Sequence, residues 1–280
     1  MTGFSADWLR LREPADHRAR NPAIAQALAR ALSGRESISV LDLGCGTGSN
    51  LRALALHLPR RQCWRLVDHD QALLDEAGRV LGAWADAATE TPDGLVLRRR
   101  DRDIVVHRLC ADLAQDLERI FEPRPDLVTA AALFDLASPA WIARFARRAA
   151  AAKSVVSAVL TYDGRGAWMP PDPADGAMKA AFDVHQRRDK GLGPAAGPEA
   201  CRVLAQALAA AGYAVQSGAS SWQLGPADAA LLGELAEGYA AAVRETGLVA
   251  DDVVDAWYAA RRADCRWVVG HEDLLALPAA

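Results

Sequence analysis

Long apolar runs, paired cysteines and a large excess of either charge are all missing from this chain of 280 residues. The longest uncharged stretch, 203–227, is broken by Gln206, Gly212, Gln216, Ser217, Ser220, Ser221 and Gln223, whereas a membrane-spanning helix needs about 20 consecutive apolar residues. The five cysteines, at 45, 63, 110, 201 and 265, form no CxxC pair and join no histidine cluster. That argues against a cysteine-held metal and for a reducing setting. From Asp7 onward the N-terminal segment mixes acids with arginines, unlike the apolar core of a signal peptide, so a cytoplasmic chain is expected. The formal net charge of -4 supplies no global attraction for phosphate backbones, so nucleic-acid partners are disfavoured unless a local basic patch exists. Internal repeats and low-complexity tracts are absent, although alanine is abundant.

What is present is enough apolar material, 51% of residues, for a sizeable core. Residues 7–33 carry Trp8, Leu9 and Leu11 ahead of Ile24, Leu28 and Leu32 at helical spacing, which predicts a helical cap over 1–36. SISVLDLGCGTGSN follows, a β-branched and leucine run that stops in glycines, as a buried parallel strand does on entering a tight turn. Helical and strand patterns then alternate: a helix ended by Pro59, the strand CWRLVD, the helix QALLDEAGRVLGAW, the strands IVVHRL and DLVTAAAL, the helix PAWIARFARRAAA and the strand SVVSAVLT. Such alternation implies βαβ units on a parallel, doubly wound α/β sheet. Residues 37–160 form the expected cofactor-binding core, and 161–200, rich in proline and glycine, an acceptor-side connection. Residues 201–280 hold a helix at CRVLAQALAAAG, a strand at YAVQSG, two helices between Ala227 and Ala263, and a last strand at RWVVGHEDLLAL. The whole is expected to be a single domain.

Gly44, Gly46 and Gly48 form G-x-G-x-G between a strand and a helix, where glycine permits positive φ and close approach of a ligand. A dinucleotide fingerprint would need a third glycine where Ser49 stands, so a nicotinamide dehydrogenase is disfavoured. Asp42, beside the turn, would repel a pyrophosphate and suits an ammonium group. Asp68 ends the second strand, about twenty residues beyond the glycines, where doubly wound folds place an acid against ribose hydroxyls. Asp112 follows the third strand at the same sheet edge, placed to accept from an exocyclic amine. Together these acids outline a nucleoside with a positively charged tail.

VLDLGCGTG at 40–48 resembles the first motif of class I S-adenosylmethionine-dependent methyltransferases, Rossmann-like enzymes. Asp68 resembles their ribose acid, Asp112 their adenine-contacting acid, and DLVTAAALFDL at 126–136 their fourth strand. The resemblance implies a mostly parallel, seven-stranded sheet with its last strand antiparallel, an N-terminal helical cap and extra C-terminal helices. It implies S-adenosyl-L-methionine as cofactor, held by Asp42, Gly44, Cys45, Gly46, Gly48, Asp68, His69, Asp112 and Leu113, and no metal. The implied activity is methyl transfer to oxygen, nitrogen or carbon of a small-molecule acceptor.

Acceptor residues are expected at the carboxyl ends of strands four and five: Phe134, Asp135, Thr161, Tyr162, Asp163, and, in the connection, Arg165, Trp168 and Gln186. His185 is the candidate base, because its ordinary pKa lies near neutrality, with Tyr162 beside it as a second catalytic candidate. Plainer roles compete throughout. Asp70 and Asp112 suit helix caps, Cys45 suits packing within the turn, His185 a cap or solvent, Trp168 a core, and Trp8 and His17 either packing or closure over the cofactor. After the fourth strand there is neither N/D-P-P-Y/F nor Pro-Cys, which argues against amide, adenine-amine and cytosine-carbon methylation. LRRRDRD at 97–103 interleaves arginine with aspartate and suits a solvated turn; gathered with Arg147 and Arg148, its arginines would instead favour an RNA substrate. A regulatory protein that binds the cofactor without turnover, and aminopropyl transfer from a related sulfonium, remain open.

Overall fold

The computed structural model describes residues 4–92, 94–261 and 265–279. Helix α1 (Ala6–Ala19) starts at Ser5, whose side chain accepts from Trp8 N, and α2 (Pro22–Leu32) starts at Asn21, whose side chain accepts from the N–H groups of Ala23 and Ile24. Both N-caps satisfy donors that the first helical turn leaves unpaired. Then come β1 (Ser37–Leu43), α3 (Ser49–Leu54), β2 (Arg61–Asp68) and α4 (Gln71–Trp84), capped by Asp70. The strands β3 (Ala87–Thr91), β4 (Gly94–Arg99) and β5 (Arg102–Cys110) form an antiparallel meander. They lead to α5 (Leu117–Ile120), β6 (Leu127–Ala131), α6 (Pro139–Ala152), β7 (Val155–Met169) and α7 (Asp175–Gln186). The chain ends with α8 (Ala200–Ala210), β8 (Tyr213–Ala219), β9 (Trp222–Leu224), α9 (Ala229–Thr246), α10 (Asp251–Ala260) and β10 (Arg266–Pro278).

Among the described residues the sheet has ten strands, in the order β3-β4-β5-β2-β1-β6-β7-β10-β8, with β9 paired to β10. Seven of them, β5-β2-β1-β6-β7-β10-β8, reproduce the expected core, and β10 runs antiparallel to both its neighbours β7 and β8. The expected count of seven is therefore corrected by three additions. All five residues of β3 are exposed and β4 buries only Leu95 and Leu97, so neither strand carries much of the two-residue apolar period that marks a strand. The strand expected to end near residue 161 continues as β7 to Met169, paired there with the start of β10. Much of the supposed connection is thus regular structure.

Strand β1 lies between β2 and β6, parallel to both, and the order reverses there, which puts a crevice at the carboxyl ends of β1 and β6. One core cluster packs Leu41, Leu43, Phe121, Phe134, Trp141 and Phe145 under α5, α6 and α8; another, on the opposite face, packs Ile24, Leu28, Leu51, Trp64, Leu74 and Leu81 under α2, α3 and α4. A third gathers Trp168, Trp222, Tyr239, Trp257 and Trp267, where the outer arms of β7 and β10 meet α7, α9 and α10. Phe145 stacks on Trp141 at 5.8 Å and meets Phe134 edge-on at 5.1 Å. Phe145→Ala is expected to destabilise the fold by about 3–5 kcal/mol, read as a lower urea midpoint at unchanged slope.

Candidate functional site

The glycine turn leaves β1 with φ of +62°, +51° and +76° at Gly44, Gly46 and Gly48, a left-handed backbone that side-chain-bearing residues rarely adopt. Cys45 N donates to Val67 O at 3.0 Å, tying the turn to β2. Two carboxylates flank it. Asp68, at the end of β2, accepts from Gly46 N at 2.9 Å through Oδ2 and from Asp70 N at 3.1 Å through Oδ1, with His69 Nδ1 3.3 Å away. Asp42 is fully buried; its Oδ1 accepts from Asn50 Nδ2 at 2.8 Å, and its Oδ2 has no partner. Desolvation pushes the Asp42 carboxyl up to about 7, against the bond from Asn50 and the charge of Arg20, with Asp68 adding to the rise. Asp112 is exposed and its Oδ1 accepts from Ala114 N at 2.8 Å, so it closes an Asx turn at the same edge. Leu113 is buried, and its carbonyl accepts from Trp141 Nε1 at 2.8 Å.

Helix α1 lies across this turn and presents two faces. Leu9, Glu13, His17 and Arg20, at spacing that shares one side of a helix, meet the turn and α3. The Leu9 side chain occupies the space a Cβ on Gly46 would need, at 2.7 Å. Glu13 accepts from Arg52 Nε at 2.8 Å, His17 Nε2 lies 3.0 Å from Ser49 Oγ, and Arg20 Nη2 donates to Asn50 Oδ1 at 2.9 Å. The other face carries Trp8, Arg12, Ala15 and Asp16 toward β9. Trp222 Nε1 donates to Asp16 at 3.1 Å, and the Arg12 guanidinium sits 5.0 Å from the Trp222 ring.

Asp135 follows β6. Its Oδ1 is buried without a partner, and burial raises its carboxyl above the ordinary range despite the charges of Lys190 and Arg12. Tyr162 donates to Asp183 at 3.3 Å, and burial pushes its phenol far above the ordinary value, which makes it a poor base. His271, on β10, stands between Tyr162 and Trp222; its Nδ1 is buried and unpartnered, and desolvation pushes the imidazole down to about 3. Asp163 is held by Arg165 through Arg165 N at 2.8 Å and the guanidinium. Thr161 is buried on β7.

The other expected residues lie in different surroundings. His185 Nε2 is 3.1 Å from Glu245 Oε2, joining α7 to the end of α9. Phe134 is buried in the first core cluster, and Trp168 stacks on Trp267 at 4.1 Å within the third. Gln186 accepts from Lys190. The Cys45 thiol is buried, with its proton held more firmly than usual by desolvation, which suits packing rather than nucleophilic attack. Sequence reading missed Arg20, Asn50, Thr129 and His271; the stripe at 9, 13, 17 and 20 was the available signal for Arg20.

No protein-family model matches the chain, and no curated protein matches it by sequence. Among solved structures it is similar to a cyclopropane-fatty-acyl-phospholipid synthase-like protein from Lactobacillus casei ATCC 334, with 18% identity, a TM-score of 0.53, and 98% of this chain and 94% of that chain covered. It is also similar to a cyclopropane synthase from Mycobacterium tuberculosis, with 13% identity, a TM-score of 0.50 and the same 98% and 94% coverage. The likeness shows a shared fold, a mostly parallel α/β sheet whose last strands run antiparallel.

Because the Asp42 carboxyl is raised to about 7, the folded chain keeps a proton that the unfolded chain has released between about pH 4 and 7. Its contribution to stability therefore falls as pH rises through that window and levels off above it. Asp42→Asn, which does not titrate, is expected to gain on the wild type by on the order of 4 kcal/mol between pH 4 and 8, measured by denaturant unfolding of both proteins across that range.

Proposed function

We propose that the chain transfers the methyl group of S-adenosylmethionine to a small-molecule acceptor in the crevice between β1 and β6. The observation that carries this is the pair of acids at the glycine turn: Asp68 holds the turn from the end of β2, and Asp42 lies beneath it with one oxygen unpartnered. The donor set fits the group. A buried carboxylate with an unused oxygen suits an ammonium, and each carboxylate oxygen has lone pairs beyond the bonds it accepts here, so Asp68 retains capacity for a ribose diol. Gly44 leaves its backbone partly exposed at the end of β1, whereas Gly46 is covered by Leu9; Asp112 stands at the adenine end, and Leu113 packs beside it.

The donor supplies a methyl group on a positively charged sulfur, which is displaced in line without a covalent protein intermediate. The protein's work is orientation, exclusion of water and removal of the acceptor's proton where one must leave. Helix α1 covers the turn through Leu9, Glu13 and His17, which shields the reaction from water and suits an acceptor small enough to be enclosed. Asp135, at the end of β6 with a buried oxygen free to accept and a raised pKa, is better placed for the proton than His185, which is bound to Glu245. For the RNA alternative the arginines would have to be free on one face. Three of those six are instead ion-paired: Arg99 with Asp86, Arg102 with Asp101 and Arg148 with Glu122.

Titration calorimetry with S-adenosylhomocysteine is expected to show binding to the wild type and a loss of at least about tenfold for Asp68→Ala, in line with removing charge-assisted hydrogen bonds. No binding at millimolar ligand, or an unchanged affinity in the variant, would defeat the proposal. Once an acceptor is found by mass spectrometry of what co-purifies, Asp135→Asn is expected to lower kcat by about 10²–10⁴ while the affinity for S-adenosylhomocysteine stays the same.

A further inference from the structure

Beneath the glycine turn runs a buried polar chain that the acids alone do not explain. Arg20 Nη2 donates to Asn50 Oδ1 at 2.9 Å, while Asn50 Nδ2 donates to Asp42 Oδ1 at 2.8 Å and lies 3.0 Å from Thr129 Oγ1. One amide thus separates a guanidinium from a carboxylate, and each keeps hydrogen-bonding capacity unused: Nε and Nη1 of Arg20, and Oδ2 of Asp42, are buried without partners. Leaving such groups unpaired is costly.

The carboxylates facing Arg20 are Asp16, Asp42, Asp273 and Glu13, and none of them accepts its spare donors. Asp273 accepts from Asn21 N and Leu160 N, both at 2.8 Å. Asp16 is held by Arg12 and Trp222, and Glu13 by Arg52. The free donors on Arg20 call for an anion, and the free oxygen on Asp42 calls for a cation. An α-amino acid brings an ammonium and a carboxylate on one carbon and answers both.

Resting on the proposed donor, we infer that Arg20 binds the α-carboxylate at the amino-acid end of the sulfonium nucleoside and so selects the carboxylated donor over its decarboxylated counterpart. That role settles an alternative the sequence leaves open, because aminopropyl transfer uses the donor that has lost this carboxylate. The selecting residue comes from the end of α1, outside the glycine motif.

The test is calorimetric titration of the full chain with S-adenosylhomocysteine and with its decarboxylated analogue, which keeps the amine. The wild type is expected to bind S-adenosylhomocysteine about 10- to 100-fold more tightly than the analogue, as for hydrogen bonds to a charged group. Arg20→Met is expected to bring S-adenosylhomocysteine down to the level of the analogue while changing the analogue by less than about threefold. Arg20→Lys, which keeps the charge, is expected to fall between, and thermal melts of both variants report on folding. The wild-type comparison needs no variant. Equal affinities of the wild type for the two ligands, or equal weakening of both in a folded Arg20→Met, overturns the inference while leaving the donor proposal standing. A wild type that binds neither ligand overturns the donor proposal itself, and the inference with it.

Discussion

The structure depends on holding a left-handed backbone turn between two carboxylates that water hardly reaches. Asp68 takes the N–H of Gly46 from one side, and Asp42 supports the first turn of α3 through Asn50 from the other. Burying two acids so close together is unfavourable unless donors or cations answer them. Much of the surrounding polar architecture does that: the Asn50 amide on Asp42, the Arg20 guanidinium beyond it, and the backbone N–H of Asp70 on Asp68. One oxygen of Asp42 is left without a donor by this arrangement.

Helix α1 packs over that turn. Its Leu9–Glu13–His17–Arg20 face closes on the glycines, and its Trp8–Arg12–Asp16 face joins the aromatic core built by the outer arms of β7 and β10. One helix thereby touches both the glycine turn and β9, whose Trp222 meets His271 on β10. The neutral, strongly desolvated imidazole of His271 and the raised carboxyl of Asp135 differ in kind. The first is held from charging over the physiological range, whereas the second retains an acceptor oxygen for a proton.

Legibility followed the range of the interactions. The edge additions β3 and β4 escaped notice because exposed meanders carry little apolar periodicity, and β7 was cut short because its outer arm, TYDGRGAWM, has the composition of a loop. It is a strand because the first residues of β10, more than ninety positions later, pair with it. His185 and Trp168 have the chemistry of pocket residues, yet α7 directs the former to Glu245 and the third core encloses the latter. Chemical type suggested candidates; helix phase and packing chose among them.

The parallel strands, the helices between them and the glycine turn with its flanking acids were determined by the sequence itself. Each follows from residues within a few positions of one another: apolar spacing, an N-cap, or a backbone φ that only glycine adopts readily. Tertiary structure alone decided that Arg20 meets Asn50, that Asp273 supports Asn21 and Leu160, and that His185 meets Glu245. Those meetings join residues far apart in the chain, and they exist only once the crossovers have brought α1, β1, β6 and β10 to one edge of the sheet.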